Sequence, residues 1–281
     1  METHVRIIDN KLVYRSGEET LVIEPWGRDG LRVRVTPLPE TIDRPWALTE
    51  PVDTQAHIET SDTAATIRNG KISARIRDIY TQKGHLEFFK WADKTPIPIL
   101  REYDYRVHAH NPGTRRFKSV GDGLFECELH FEAQNGERLY GMGENATGRL
   151  NLKGCVIDLY QRHVKAVVPF VVSSQGYGFL WNNPSLGRAE FGNNMTRWIS
   201  YGSKQIDYYI TAGDSYANLI SFVPDRPGHD FRYAIDSARI QDELGWKAER
   251  DLEAGLRETI NWVDQHLEDL KDQPWQYKHK P

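Results

Sequence analysis

Residues 124–133 read LFECELHFEA, and the order of these ten residues decides the fold class. Phe125, Cys127, Leu129 and Phe131 fall on one side of an extended chain; Glu126, Glu128, His130 and Glu132 fall on the other. Residues two apart share a face only in a strand, so the alternation predicts a β-strand with a buried apolar face and a wet polar one. Similar signals continue outward on both sides. Lys11–Ser16, Thr20–Trp26 and Gly30–Thr36 are rich in β-branched residues and separated by Gly and charged turns. Asn69-Gly70, between Thr63–Arg68 and Lys71–Arg77, is a strong signal for a tight hairpin. Cys155–Tyr160, Val167–Ser173, Tyr177–Asn182, Thr196–Tyr201 and Gln205–Thr211 read as further strands. Many short strands with turns between them predict an antiparallel β-sandwich over residues 1–221.

Beyond that point the period changes. Asp214 can cap a short helix over Ser215–Ile220, and an extended, proline-containing stretch follows from Phe222 to Gly228. Asp236 caps a helix through Leu244 that stops at Gly245, a normal residue just past a helix end. Asp251 opens a longer helix, whose Leu252, Leu256, Ile260, Val263, Leu267 and Leu270 step by threes and fours. The chain is therefore expected to be mainly β, a sandwich at 1–221 followed by a short α-helical appendix at 222–281. The apolar stripe needs cover, so the expectation is that the helix docks weakly on an apolar patch of the sandwich, the alternative being self-association through the 252–270 helix.

Composition narrows the function classes. The chain has 281 residues, 39% hydrophobic and 27% charged, which is ordinary globular usage. A formal net charge of −4 without a long basic run argues against a nucleic-acid partner. The longest apolar stretch, Ala166–Ser173, is too short to cross a bilayer, and METHVRIIDN lacks the apolar core of a signal peptide. Cys127 and Cys155 form neither a disulfide framework nor a metal knuckle. The expectation is a cytoplasmic chain with no membrane partner, in which the triplets Asn145-Ala146-Thr147 and Asn194-Met195-Thr196 are chance matches to a glycosylation signal.

No complete catalytic constellation emerges. Tyr140-Gly141-Met142-Gly143-Glu144-Asn145 contains Gly-x-Gly, but residues 146–154 show no helical period, and a phosphate loop needs a helix directly after its glycines. His108 and His110 would share a strand face, yet no third ligand has plausible spacing, so they read as part of an exposed polar face rather than a metal site. The glutamates of 124–133 read as a solvated face, since acid/base pairs cannot be told from surface acids by sequence alone. No Gly-x-Ser-x-Gly elbow occurs. No catalytic residue, metal or cofactor is assigned.

Several pieces together resemble the N-terminal β-sandwich domain of glycoside hydrolase family 31, the α-glucosidases and α-xylosidases. They are Tyr140-Gly141-x-Gly143-Glu144, taken as a turn, Val168-Pro169-Phe170 before a strand, Gly176-Tyr177-Gly178 with Trp181-Asn182-Asn183-Pro184, and Gln205-Ile206-Asp207-Tyr208-Tyr209. The resemblance covers Gly136–Ile220 well and extends back to about Leu12. It implies a galactose-mutarotase-like sandwich that packs beside a (β/α)₈ barrel, with one loop reaching the mouth of the active site; the matching loop here is Gln161-Arg162-His163. It also implies catalytic carboxylates supplied by the barrel, and the family's Asp-x-Asn-Glu nucleophile motif does not occur in the 281 residues.

From Phe222 the sequence resembles the C-terminal end of dTDP-glucose 4,6-dehydratases, of the extended short-chain dehydrogenase class. The residues that carry this are Asp225-Arg226-Pro227-Gly228-His229-Asp230, Arg232-Tyr233-Ala234-Ile235-Asp236 and Glu243-Leu244-Gly245-Trp246. The resemblance implies that the Asp225–His229 loop, through Arg226 and His229, contacts the diphosphate of a nucleotide sugar. That class also needs a tyrosine with lysine four residues on, which no tyrosine here has; Tyr201 and Lys204 miss by one. The chain thus reads as a composite with a sugar or nucleotide-sugar ligand. The expected function is a family 31 module without its catalytic barrel; the alternatives are a dehydratase fragment and a fusion product with no function.

Overall fold

In the computed structural model the described residues are 4–17, 19–49, 54–77, 79, 84–104, 113–145, 147–163, 165–219, 245 and 251–271. The chain divides into two compact units, Met1–Phe222 and Val223–Pro281.

The described strands of the first unit pair antiparallel. An eight-stranded sheet runs in the order β1 (Val5–Ile8), β2 (Lys11–Arg15), β3 (Thr20–Pro25), β4 (Gly30–Thr36), β18 (Ile206–Ala212), β15 (Tyr177–Trp181), β14 (Ala166–Ser173) and β12 (Leu139–Glu144). A five-stranded sheet follows chain order, β5 (His57–Thr60), β6 (Ala64–Asn69), β7 (Ile72–Arg77), β8 (His85–Ala92) and β9 (Thr95–Arg101). A second five-stranded sheet has the order β10 (Arg115–Gly121), β11 (Leu124–Glu132), β17 (Met195–Ser203), β16 (Gly187–Phe191) and β13 (Val156–Leu159). All three sheets contribute to one contiguous core. At its centre Phe88 of β8, Phe131 of β11 and Phe179 of β15 pack round Tyr208 of β18, with ring centroids 5.0–6.2 Å apart. Edge-to-face and stacked rings of this kind add to the area they bury.

The expected strands all form, with ends shifted by a residue or two. Seven more appear: β1, β5, β8, β9, β10, β12 and β16. Two expectations are corrected. Tyr140–Glu144 is a strand with a bulge rather than a turn, and Val168-Pro169-Phe170 lies inside β14 rather than before it. The second face of β11 is also drier than its alternation suggests. His130 is buried, its ring nitrogen lies 3.0 Å from Glu128, and its backbone bonds Tyr103 and Thr114 beside the strand.

The 69–70 hairpin does more than turn the chain. The Asn69 amide donates to the carbonyls of Gly27 and Gly30, both at 2.8 Å, tying the β6–β7 hairpin to the β3–β4 turn. Gly70 has φ 55°, and a Cβ there would lie 2.2 Å from Asp29 Oδ1. Only glycine fits both the backbone and the space.

In the second unit, the Asp251 carboxylate accepts the Ala254 N–H at 2.8 Å and caps helix α2 (Leu252–Gln265), as expected. The single long helix of the sequence reading is divided at His266, after which α3 spans Leu267–Lys271. Gly245 has φ 65°, the conformation expected of it, while the preceding helix from Asp236 lies outside the described residues. In the first unit α1 spans Tyr216–Leu219, and the Asp214 carboxylate pairs with Lys71.

Candidate functional site

The loop Gln161-Arg162-His163 joins β13 to β14, and one side chain holds its base. Gln161 Oε1 accepts the Val167 N–H and Gln161 Nε2 donates to the Val167 carbonyl, each at 2.9 Å. The side-chain amide thus supplies both bonds that a neighbouring strand would supply. The Lys165 N–H donates to the Arg162 carbonyl at 3.1 Å and closes the turn. Lys165 Nζ bonds the Asp158 carbonyl at 3.0 Å, and the Tyr160 hydroxyl donates to Asp158 Oδ2 at 3.2 Å. The Arg162 guanidinium lies over the Tyr160 ring, 4.4 Å from its centroid, within cation–π range.

All three predicted loop residues are therefore brought together and exposed, but they do different things. Gln161 is committed to the scaffold. Arg162 and His163 present a guanidinium and an imidazole to solvent, groups that can hydrogen-bond hydroxyls or anions. The loop's own carboxylate neighbour, Asp158, accepts the Tyr160 hydroxyl.

Beside the loop base, Glu144 pairs with Ala166 in the β12–β14 ladder and is exposed. Reaching this position requires three successive residues at positive φ, namely Gly141 (110°), Met142 (67°) and Gly143 (76°). A Cβ on Gly143 would lie 2.2 Å from the Ala166 carbonyl oxygen. The glycines therefore serve a bulge and a close strand approach, and no helix follows them to receive a phosphate. The sequence reading assigned nothing to Glu144; its place beside the loop comes from strand register alone.

A buried charge cluster was also missed. Arg32 and Arg34 alternate with Leu31, Val33 and Val35 along β4, which reads as a wet outer face, yet both arginines are buried. Residues 37–49 cross this face. Arg34 bonds Glu24 at 2.6 Å and the Ile42 carbonyl at 3.2 Å; Gln205 exchanges two hydrogen bonds with the backbone of Ile42, at 2.7 and 3.0 Å. Asn182 does the same across Pro45 and Ala47, at 3.0 and 3.1 Å. Burial works against the Asp43 charge, but Arg34, Lys11 and Arg32 hold its carboxyl below the usual range. The result is a rigid strap that presents Trp46 at its surface, with the Arg44 guanidinium 5.0 Å from the indole.

Other titratable groups are structural. Burial pushes the Cys127 thiol up to about 12, which leaves it an unreactive core residue. Glu128 is held low by its hydrogen bond to His130, with Arg116 assisting. Glu102 is fully buried; burial pushes its carboxyl up to about 7 against the pull of Arg115 and the Leu86 N–H, which donates at 2.8 Å. Among the described residues no three His, Cys, Asp or Glu side chains converge as a metal site, and no helix is long and apolar enough to cross a membrane. His108, His110 and the loop Asp225, Arg226, Pro227, Gly228, His229 lie outside the described residues.

Comparison with known proteins follows this division. The family described as the glycosyl hydrolase 31 N-terminal galactose mutarotase-like domain matches residues 20–188. A family 31 glucosidase of Pseudescherichia vulneris, itself uncharacterized, is 40% identical over 219 residues, covering 75% of this chain and 41% of that protein. The crystal structure of a family 31 α-xylosidase from a soil metagenome, complexed with xylose, superimposes with a TM-score of 0.68 at 36% identity, covering 75% of this chain and 32% of that one. A probable dTDP-glucose 4,6-dehydratase of Sinorhizobium fredii is 55% identical over 47 residues, 17% of this chain and 13% of that protein. The chain thus spans less than half the length of each of these relatives. With the sandwich, its register and the sequence match in agreement, the chain belongs to glycoside hydrolase family 31, through that family's N-terminal galactose mutarotase-like domain.

Proposed function

We propose that this chain is a carbohydrate-handling module derived from a family 31 α-glycosidase, without hydrolytic activity of its own, whose loop Gln161–His163 contacts sugar at the mouth of a catalytic partner. The observation that carries this reading is the loop itself. Its base is clamped by Gln161, Asp158 is held by Tyr160, and Arg162 and His163 are left exposed as hydrogen-bonding groups, with Glu144 an exposed carboxylate beside the loop base. Glycoside hydrolysis ordinarily needs two carboxyl groups flanking the scissile bond. The chain's overlap with an α-xylosidase complexed with xylose supports an α-linked sugar as the ligand class. The test is an assay of the purified chain with nitrophenyl α-xyloside and nitrophenyl α-glucoside. No turnover above buffer is expected; turnover that follows the protein through two columns would overturn the proposal.

A second reading is favoured by the 55% identity over 47 residues to a dTDP-glucose 4,6-dehydratase. On this reading the segment carrying Asp225, Arg226, Pro227, Gly228 and His229 retains part of a nucleotide-sugar site. One loop supplies only part of such a site, so tight binding is not expected. Calorimetric titration with dTDP decides it: a micromolar isotherm that Arg226→Ala abolishes would put this reading first. Silence toward both dTDP and α-xylosides would favour a fusion product without function.

A further inference from the structure

We infer that the outer face of the β5–β9 sheet carries a saccharide-binding cleft, separate from the loop Gln161–His163. The strand register builds it. Ile67, Ile72, Ala74, Ile76, Leu86 and Phe88 point into the core, so their neighbours in each strand make up the opposite face. On that face one cross-strand row reads Glu59, Thr66, Arg75, Glu87, and the next reads His57, Arg68, Ser73, Phe89, Pro98. Trp91, two residues from Phe89 and opposite Pro96, adds a second aromatic ring to the same face. A solvent-facing sheet surface ordinarily carries polar residues, so two large rings side by side there need a reason.

Between these rows lies an open cleft of about 380 Å³. Ligand clefts commonly run from roughly 300 to 1,000 Å³. Its floor and walls include Glu59, Thr66, Ser73, Arg75, Phe89 and Trp91. Trp91 is held rigidly, its indole N–H donating to Ser73 Oγ at 2.9 Å and the Arg68 guanidinium lying 3.8 Å from its ring centroid. Arg68 also donates to the Gly70 carbonyl at 3.1 Å, which holds it against the Trp91 ring. Arg75 is exposed and makes no ion pair among the described residues.

The chemistry selects the ligand. Ring faces offer apolar area to the C–H side of a sugar, and a pre-ordered ring loses little entropy on binding. Arg75 supplies a fork of donors, Glu59 an acceptor, and the Thr66 hydroxyl either, which suits the neighbouring hydroxyls of a pyranose. One free cation opposed by a carboxylate gives little attraction for an anion, so a neutral polyol fits better than a phosphate. Glu59 and Arg75 stand two strand spacings apart, about 10 Å, so the cleft accommodates more than one sugar ring. The assignment rests on the cleft alone and stands whether or not the loop Gln161–His163 serves a catalytic partner.

The test is calorimetric titration of the full chain with maltotetraose, cellotetraose and xylotetraose. A saturable isotherm with at least one is expected, weakened by about tenfold or more in Trp91→Ala and in Arg75→Ala, the loss associated with truncating an anchoring contact. Arg75 is exposed, so its variant reads binding even if Trp91→Ala disturbs the fold. Lys118→Ala, an exposed position on β10 of another sheet, should leave the affinity unchanged. No isotherm with any of the three sugars would overturn the inference, as would binding that both cleft variants leave intact. Binding abolished by Arg162→Ala and not by Arg75→Ala would also overturn it, while supporting the loop as the sugar contact.

Discussion

Arg32 and Asp207, 175 residues apart in sequence, meet as a two-pronged ion pair between β4 and β18, with Arg32 Nη2 2.7 Å from Oδ2 and Nε 3.2 Å from Oδ1. Both side chains are 0–1% exposed. Arg32 also reaches Asp43 at 3.3 Å and the Arg44 carbonyl, so the pair links two central strands to the strap that covers them. Removing one partner would leave a buried charge uncompensated, which costs more than the pair itself contributes.

Asp207→Ala should therefore destabilise the sandwich by about 3–5 kcal/mol. Urea unfolding followed by tryptophan fluorescence measures this. Combining Arg32→Met with Asp207→Leu should recover much of the loss, because a well-packed apolar pair has no charge to desolvate. A double variant as unstable as Asp207→Ala would show that the arginine's bonds to the strap matter more than the pair.

Glu102 makes stability depend on pH in an unusual direction. The folded state holds its proton up to about pH 7, while the unfolded chain releases it near the ordinary value of 4.5. Between those pH values folding takes up a proton, so this group's contribution is complete below 4.5 and is lost as pH rises through 7. The loss amounts to about 3 kcal/mol by the end of the window. Glu102→Gln should flatten the profile over this range, seen as urea midpoints at pH 4.5 and 7.5 that differ less than in the unaltered chain.

A chain ending at Ser221 should keep a cooperative melt and a β-type circular dichroism spectrum. The aromatic core round Tyr208 draws every residue from the first unit, and roughly 220 residues are enough to close a core. An insoluble or unfolded product would place part of that core beyond Ser221.

Helix α2 and its continuation α3 expose Leu256, Ile260, Val263, Leu267 and Leu270. An uncovered stripe of this kind favours association. Sedimentation velocity of the full chain should show weak, concentration-dependent self-association, abolished by Leu256→Lys combined with Ile260→Lys. Association unchanged in that variant would place the contact elsewhere.

Sequence alone determined the class of the fold, since strict alternation at 124–133, β-branched runs and the Asn69-Gly70 turn are local properties that neighbouring residues enforce on one another. The Asp251 cap and the recognisable pieces between Gly136 and Ile220 were legible for the same reason. The loop Gln161–His163 was legible by resemblance, but its clamp was not, because Gln161 acts on Val167 through a side-chain geometry that no pattern encodes. What only the tertiary structure decided is which polar faces stay wet. Arg32 and Arg34 follow the same alternation as a solvated strand, and a segment crossing above them turned their face into a buried ion network. Phe89 and Trp91 carry no local signal of a site, and register alone sets them on the same face as Glu59, Thr66 and Arg75. Alternation specifies two faces for every strand, but what covers each is settled by chain segments far away in sequence, through contacts that exist only once the layers have packed.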